Sequence, residues 1–389
     1  MLYCGKINRT NLQIDYLQKI YFEKSWAWWL NHMGTFVVFI IGFFGNMLCL
    51  IFLCRRPFIR NSYTQYLIAL AIVDTGAIFF ETITALDDLY QYQSKDRRAL
   101  IQHTIVSCKL FYYIRFIFYS MSSWIVVALA VERLVAVKYP LWSKHICSVT
   151  NARRIILIMF LFTMAIQSYH LVIKGLDCSS SSKIKTKLNC RCKTLLGYAT
   201  IDIIFTIYIW RLVLMTLLPL IIIITVNILI MSKLFNKNCL IDHTNRVNNA
   251  RRKVVLRYKV SRMLVIVSTI YLVFHLPGST LEVVKFLLVH AFRLCDLKWQ
   301  YYIYIAQDIF DLLTNFNYGI NFYLYIISSK HVRCALIHKN SIFRVSTTRS
   351  KENWRKSKTF LSSYIYSSRK PHERDINASL AGCETITSV

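Results

Sequence analysis

A mostly apolar stretch from Ser107 to Pro140 carries a cysteine near its start and an ion-pair dipeptide, Glu132-Arg133, near its end. As one α-helix, the segment from Cys108 to Arg133 is about 37 Å long at 1.5 Å per residue. The hydrocarbon core of a membrane is about 30 Å thick. A single helix therefore places Cys108 at one membrane face and Glu132-Arg133 at the other.

Apolar runs of this kind recur along the chain, which is 55% hydrophobic and has only 10 Gly and 5 Pro among 389 residues. Runs of about 20 apolar residues are typical of membrane spans. We predict an all-α membrane protein, a bundle of seven transmembrane helices. The predicted spans are Met33–Cys54, Thr64–Leu86, Ser107–Pro140, Arg154–Ile173, Ile207–Leu234, Val260–Leu288 and Tyr301–Ser328.

The net charge of +29 raises the question of nucleic-acid binding, and the distribution of charge answers it. Most Lys and Arg residues flank the predicted spans on one side, as the positive-inside rule requires of cytosolic segments. Arg55, Arg56 and Arg60 follow the first span, which places the N-terminus outside. We expect anionic membrane lipid to be the partner of this charge, and no nucleic acid.

Three of the predicted spans contain short motifs. These are Gly45-Asn46 in the first span, YLIALAIVD ending at Asp74 in the second and LLPLIIIITVNIL around Pro219 in the fifth. With Cys108, Glu132-Arg133 and Pro140, they resemble the rhodopsin-like G-protein-coupled receptors over about residues 33 to 340. Within that family the sequence resembles invertebrate neuropeptide receptors of the FMRFamide-receptor kind.

The resemblance implies a plasma-membrane receptor that binds an extracellular ligand, activates a heterotrimeric G protein and performs no covalent chemistry, so not an enzyme. Arrestin is a further partner in this family. A receptor for a lipid or other small molecule is one alternative, and a membrane transporter is another. A transporter is expected to show broken helices or a pore lined by charge, whereas the charges here cluster near the outer third and the inner end of the third helix with no polar path between them, and the sequence has no internal repeat.

The resemblance also assigns roles to residues of the inner half. Glu132 and Arg133 are the cytosolic latch, in which the carboxylate holds the guanidinium until activation. Asp74 is expected to hold a sodium ion, the only expected cofactor, with Ser122, Asn317 and Asn321 either in the same site or acting as interhelical hydrogen-bond partners.

The sequence departs from the family at three positions that, in the family, take part in the change from the inactive to the active receptor. The family's acid on the sixth helix is replaced by Arg257, its switch tryptophan by His275, and its seventh-helix proline by Phe322. The switch residues that remain are Pro219, Pro277 and Tyr325.

Charged residues near the outer ends of the spans predict a water-filled ligand pocket. Arg115 stands where amine receptors of the family have an aspartate, which favours a peptide ligand over a cationic amine. An amidated peptide with Arg and an aromatic ring fits best, with Phe111, Tyr112 or Tyr119 taking the ring. The alternative is an ion-pair network, such as Arg115 with Asp311 or Glu81. The predicted pocket residues are Glu81, Arg115, Tyr119, Arg211, His275, Glu282 and Asp311.

The predicted outer loop from Lys174 to Lys193 contains three cysteines. The resemblance implies that one of them bridges to Cys108, with Cys192 or Cys190 favoured over Cys178. Such a bridge is permitted because this face is extracellular.

The two ends of the chain are expected to be tails. Residues 1–32 form an extracellular tail with a glycosylation sequon at Asn8, and the first span acts as its own insertion signal. Residues 33–329 form the bundle, 330–340 an amphipathic cytosolic surface helix and 341–389 a disordered basic tail. Thr387 and Val389 end the chain in a Thr-x-Val pattern that a PDZ domain can bind as an added strand.

Overall fold

The fold was analysed in a computed structural model, which describes residues 25–55, 58–94, 104–180, 188–241, 248–288 and 297–328. The chain divides into two units, Met1–Leu324 and Tyr325–Val389. In the second unit only residues 325–328, the last turn of a helix, are described.

Seven long helices make up the described structure, as predicted. A helix satisfies its own backbone hydrogen bonds, which is what lipid demands of a spanning segment. Their bounds are α1 Trp26–Leu53, α2 Ser62–Ser94, α3 Ile105–Lys138, α4 Val149–Gln167, α5 Leu218–Ile241, α6 Asn248–Phe286 and α7 Leu297–Ser328.

Six described segments are long and apolar enough to cross a membrane. They are Trp26–Leu53, Ser62–Tyr90, Ile105–Lys138, Val149–Ile173, Val213–Lys233 and Leu264–Lys285. The α7 helix is less apolar because tyrosines, asparagines and two aspartates interrupt its hydrophobic residues. These polar residues include the ones that build the site below.

Side-chain caps determine where three helices begin. The Ser25 hydroxyl accepts a hydrogen bond from the Trp28 backbone N–H, so α1 begins earlier than the predicted Met33. Thr104 and Ser107 form a reciprocal capping box at the start of α3. Ser148 caps α4 through the Asn151 backbone N–H. Each cap satisfies backbone donors that the first turn of a helix leaves without a partner.

The segment before α5 is wound more widely than an α-helix. Residues Ile203–Leu217 form a π-helix, in which the backbone N–H of Leu218 bonds to the carbonyl of Val213. Pro219 follows at once, and proline has no N–H to donate to a preceding turn. The change from π-helical to α-helical winding therefore lies beside Pro219.

The predicted outer loop contains a β-hairpin, a feature that the sequence reading did not anticipate. Strands β1 (Lys174–Ser180) and β2 (Leu188–Thr194) pair antiparallel, with Leu176 opposite Cys192. Cys192 forms a disulfide with Cys108 of α3, and their Cα atoms are 5.6 Å apart. The strand register explains why Cys192 is the partner of Cys108. Leu176 lies opposite Cys192, and the backbone carbonyl oxygen of the neighbouring Gly175 lies 3.5 Å from Cys108 Sγ, so α3 meets the hairpin at this point. The predicted disulfide is confirmed, with Cys192 as the partner.

The first and last helices touch at a pair of glycines. A Cβ atom added to Gly42 would lie 2.8 Å from the Cα of Gly319, so only glycine permits this approach of α1 to α7. One turn away, the buried Asn46 side chain donates to the backbone carbonyl of Tyr318 at 3.1 Å. These contacts close the bundle and position the polar residues of α7 towards its interior.

Candidate functional site

A cavity of about 550 Å³ lies in the half of the bundle that holds the disulfide. Ligand sites are usually pockets of about 300 to 1,000 Å³. Its lining comes from α1, α2, α3, α6, α7 and the π-helical segment before α5. The charged and aromatic residues of the lining, with Asn31, are Trp28, Asn31, His32, Glu81, Asp88, Arg115, Phe116, Tyr119, His275, Glu282, Tyr304, Asp308, Asp311 and Tyr318.

Six of the seven predicted pocket residues line this cavity. They are Glu81, Arg115, Tyr119, His275, Glu282 and Asp311. The seventh, Arg211, lies in the π-helical segment, but its side chain is outside the described part of the structure.

On one side of the cavity, an arginine, a glutamate and a tyrosine bind each other. Arg115 Nη2 donates to Glu81 Oε1 at 2.9 Å, and Arg115 Nε donates to the Tyr119 hydroxyl at 3.0 Å. The Tyr119 hydroxyl donates in turn to Glu81. Of the two partners predicted for Arg115, the structure shows Glu81. This network neutralises the Glu81 carboxylate within the protein.

Three further carboxylates of the lining come from two neighbouring helices. Asp308 and Asp311 lie one turn apart on α7, and Glu282 lies on α6. Asn31 of α1 donates to Asp308 at 3.4 Å. Lys285 Nζ of α6 donates to the side-chain amide oxygen Oε1 of Gln307 on α7 at 3.0 Å, which ties these two helices together.

The sequence reading missed the contribution of the first helix. Trp28, Asn31 and His32 fall in the predicted extracellular tail, whereas in the structure they line the cavity. His32 Nε2 lies 3.5 Å from a carboxylate oxygen of Asp88. Trp28 and His32 are four residues apart, so they lie on one face of a helix. This spacing could have indicated their shared position only if the first helix had been predicted to begin before Met33.

The aromatic lining also differs from the prediction. Tyr119 lines the cavity, but Phe111 and Tyr112 do not. Phe111 is buried, and the Tyr112 ring lies 5.0 Å from the ammonium of Lys174. The lining rings outside the prediction are those of Trp28, Phe116, Tyr304 and Tyr318.

At the inner end of the cavity, His275 occupies the position where the family has a tryptophan. Its Nε2 lies 3.4 Å from Nδ2 of Asn317 on α7, and its ring is 4.2 Å from that of Tyr271. Two residues after His275, α6 continues through Pro277 without interruption. A cavity residue therefore contacts the polar residues of α7 directly.

Deeper in the bundle, the fully buried Asp74 binds two of its three predicted companions. The Ser122 hydroxyl donates to Oδ1 of Asp74, and the Asn321 amide donates to Oδ2, each at 2.6 Å. Asn317 bonds to His275 instead. Within the described residues, no cationic side chain pairs with Asp74, and no group of three or more His, Cys, Asp or Glu residues could hold a metal.

At the other end of α3, the latch residues are buried against the start of α2. Arg133 Nη2 lies 2.6 Å from Glu132 Oε1, and the Ser62 hydroxyl donates to the same oxygen at 2.9 Å. The Arg133 guanidinium lies over the Tyr63 ring, 4.6 Å from its centre. The sequence did not predict Ser62 and Tyr63 as partners of the latch residues. The only sequence signal for them was their position between Arg60 and the start of the second predicted span.

Some predicted residues lie outside the described part of the structure. They are Asn8, Thr387 and Val389, together with the side chains of Cys178, Cys190, Arg257 and Tyr325 and the surface helix at 330–340.

The architecture above is that of a seven-helix membrane protein with a ligand-sized cavity, and comparison with known sequences identifies its family. The sequence model of the rhodopsin family of seven-transmembrane receptors matches residues 45–325. The chain therefore belongs to the rhodopsin family of seven-transmembrane receptors and is a multi-pass membrane protein.

Two relatives illustrate the range of similarity. The thyrotropin-releasing hormone receptor of Mus musculus is 22% identical over 276 residues, which cover 65% of this chain and 66% of that receptor. The proto-oncogene Mas of Homo sapiens is 32% identical over 103 residues, which cover 26% of this chain and 29% of Mas. The chain thus matches just under two thirds of the first relative and under a third of the second. The resemblance to FMRFamide receptors stays a prediction.

Proposed function

We propose that this protein is a plasma-membrane receptor, with its N-terminus outside, that binds an extracellular peptide and activates a heterotrimeric G protein. The observation that carries the proposal is the cavity of about 550 Å³, which has charged and aromatic lining and lies at the disulfide end of the bundle. Disulfides persist on the oxidising side of a membrane, so this end is the extracellular one. The receptor itself performs no covalent chemistry in this proposal.

The mixed lining supports a peptide in particular. Carboxylates, a guanidinium and several aromatic rings face one cavity, so a ligand with both charged and aromatic groups can satisfy more of them than a lipid can. One relative is, by its name, the receptor for a releasing hormone. A second support is His275, because a ligand that moves it also moves Asn317 and can reach the inner half of the bundle.

The test is a peptide-library screen of cells that carry this receptor and a promiscuous G protein. We expect at least one peptide to raise G-protein signalling in these cells and not in cells without the receptor. Activation by lipids or other small molecules alone would contradict the peptide assignment. Transport of a substrate without G-protein activation would contradict the receptor assignment.

We also propose a sodium ion at Asp74. A buried carboxylate without a cationic partner among the described residues suits a cation, and hard cations prefer oxygen ligands of the kind that Asp74 and Ser122 offer. The amide nitrogen Nδ2 of Asn317 lies beside Nε2 of His275 and not beside Asp74. Sodium chloride should raise the Tm of the purified receptor more than choline chloride does, and Asp74→Asn should remove that difference. Equal Tm values in the two salts would contradict the proposal.

Arrestin and PDZ-domain proteins are proposed as further cytosolic partners. A PDZ domain would bind the chain end at Thr387 and Val389. A peptide of the last ten residues that binds no domain of a PDZ array would exclude this partner.

A further inference from the structure

An arginine near one end of α4 is held in place by a neutral side chain of α2. Arg153 Nε donates to the side-chain amide oxygen Oε1 of Gln65 at 3.0 Å. Gln65 is buried, and its Nε2 donates to the backbone carbonyl of Ile59 at 2.7 Å. Both ends of the Gln65 amide are therefore in use, and the amide orients Arg153 without cancelling its charge.

This arrangement leaves most of the hydrogen-bonding capacity of Arg153 available. A guanidinium has five N–H donors, and the bond to Gln65 uses one of them. Within the described residues, no carboxylate forms a salt bridge with Arg153, and its terminal nitrogens Nη1 and Nη2 have no hydrogen-bond acceptor. Two such nitrogens can bond to one phosphate group through two parallel N–H donors.

A second arginine belongs to the same corner of the fold, here called the α2–α4 corner. Ile59, which accepts from Gln65, precedes Arg60, the last residue of the short 3-10 helix Phe58–Arg60. Arg60 and Arg153 are both exposed. Two hydrogen bonds through Gln65 join the backbone beside the first arginine to the guanidinium of the second. The first turn of α4 has no acidic residue, so the described part of this corner is cationic.

The α2–α4 corner lies at the level of lipid headgroups. The spanning segment that contains α4, Val149–Ile173, has 25 residues and is about 37 Å long as a helix. The hydrocarbon core is about 30 Å thick, so the ends of the segment extend beyond it. Ile173 precedes the hairpin that is tied to Cys108, so Arg153 lies near the opposite end of the segment. A long arginine side chain at this depth reaches the headgroups while its stem stays in apolar surroundings.

From these observations we infer that Arg153 and Arg60, positioned by Gln65, bind the headgroup of an anionic phospholipid in the cytosolic leaflet. Anionic lipids give this leaflet a negative surface potential, which attracts basic residues beside a spanning helix. Two guanidinium groups favour a headgroup with more than one phosphate group, as in phosphorylated phosphatidylinositol. The inference goes beyond the proposed function and takes from it only that this end of the bundle is cytosolic.

The test measures lipid binding by the full-length receptor without a peptide or a G protein. The receptor is placed in nanodiscs of phosphatidylcholine that contain increasing amounts of phosphatidylinositol bisphosphate, and its Tm is followed. We expect the Tm to rise to a plateau, and Arg153→Gln to raise the half-saturating amount of this lipid about tenfold. Phosphatidylserine, which has a single phosphate group, should be needed in larger amounts for the same rise.

Matched variants separate this site from the general attraction between basic residues and anionic lipid. Arg154→Gln removes the same charge from the next position, about 100° around α4, and should change the half-saturating amount by about twofold or less. Gln65→Leu and Arg153→Lys keep every charge but remove the bond that orients Arg153, and each should raise that amount about threefold. Two such variants are used so that a folding defect in one does not decide the result.

Four results would overturn the inference. The first is a Tm that does not respond to the lipid, and the second is an equal loss in Arg153→Gln and Arg154→Gln. The third is unchanged lipid binding in both charge-conserving variants. The fourth is an equal rise of the Tm with soluble inositol trisphosphate, which would show a site for a free phosphate compound and not for a lipid. Because the assay contains no peptide, failure of the peptide screen would contradict the proposed function and leave this site standing.

Discussion

Two arginines of α3 have almost the same partners and very different surroundings. Arg115 binds the carboxylate of Glu81 and lies 5.4 Å from the centre of the Tyr119 ring. Arg133 binds the carboxylate of Glu132 and lies 4.6 Å from the centre of the Tyr63 ring. Each pair combines an ion pair with a cation–π contact.

The difference lies in burial and in unused hydrogen-bonding capacity. The side chains of Arg115 and Glu81 are 19% and 23% exposed to the cavity, whereas those of Arg133 and Glu132 are 8% and 6% exposed. Within the described structure, Arg133 Nε and Glu132 Oε2 are buried without hydrogen-bond partners. Leaving such atoms unsatisfied costs about 1 to 3 kcal/mol each.

This comparison indicates which arginine can serve as a switch. Arg115 is held by bonds to both Glu81 and Tyr119, so it is a fixed part of the cavity. Arg133 is held by its chain neighbour and by contacts with α2, and it can gain partners by moving. Because Arg257 replaces the family's acid on α6, the holding contacts seen here are those with Glu132 and Tyr63.

The largest expected effect is that of Arg133→Ala. It should abolish ligand-evoked nucleotide exchange on the G protein while leaving surface expression and ligand binding largely intact, because the latch hypothesis releases only Arg133 towards the cytosol. Surface labelling and a nucleotide-exchange assay measure the two properties. Lys138→Ala, which removes an exposed cation from the same end of α3, is the control and should signal normally. Undiminished exchange in the Arg133 variant would remove the switch role.

The next largest effect concerns the outer end of the same helix. Cys108→Ser should lower stability by about 2 to 4 kcal/mol and reduce surface delivery or ligand binding, because the hairpin is no longer tied to α3. The Tm of the purified receptor checks the first effect, and mass mapping checks the Cys108–Cys192 bond. The matched control is Cys54→Ser, since Cys54 is a free, exposed cysteine. A free Cys108 thiol in the mature protein would show that the disulfide is absent.

The smallest expected effect separates the ring contact from the ion pair. Tyr63→Leu removes the ring beneath Arg133, a contact of about 0.5 to 2 kcal/mol, and should raise ligand-independent signalling a few fold by favouring the released state. Tyr63→Phe keeps the ring and should leave that signalling near its original level. Basal nucleotide exchange, corrected for surface expression, is the measurement. If the leucine and phenylalanine variants behave alike, the ring does not hold Arg133.

The sequence by itself determined the seven helices, the family and the residues that carry charge. Apolar runs of membrane length admit few other structures, because lipid offers the backbone no hydrogen-bond partner. The cysteine at one end of α3 and Glu132-Arg133 at the other were enough to predict that these residues lie at opposite ends of one spanning helix. Six of the seven predicted pocket residues also line the cavity, since charges within spans must face an interior.

Only the tertiary structure decided which of these residues meet. It pairs Arg115 with Glu81, turns Asn317 to His275 and brings Trp28 and His32 of α1 into the cavity. The helical repeat restricts a side chain to a face, but its partner depends on how neighbouring helices are rotated and how far they are displaced along their axes. Those variables follow from long-range contacts such as Gly42 with Gly319, which local sequence patterns do not encode.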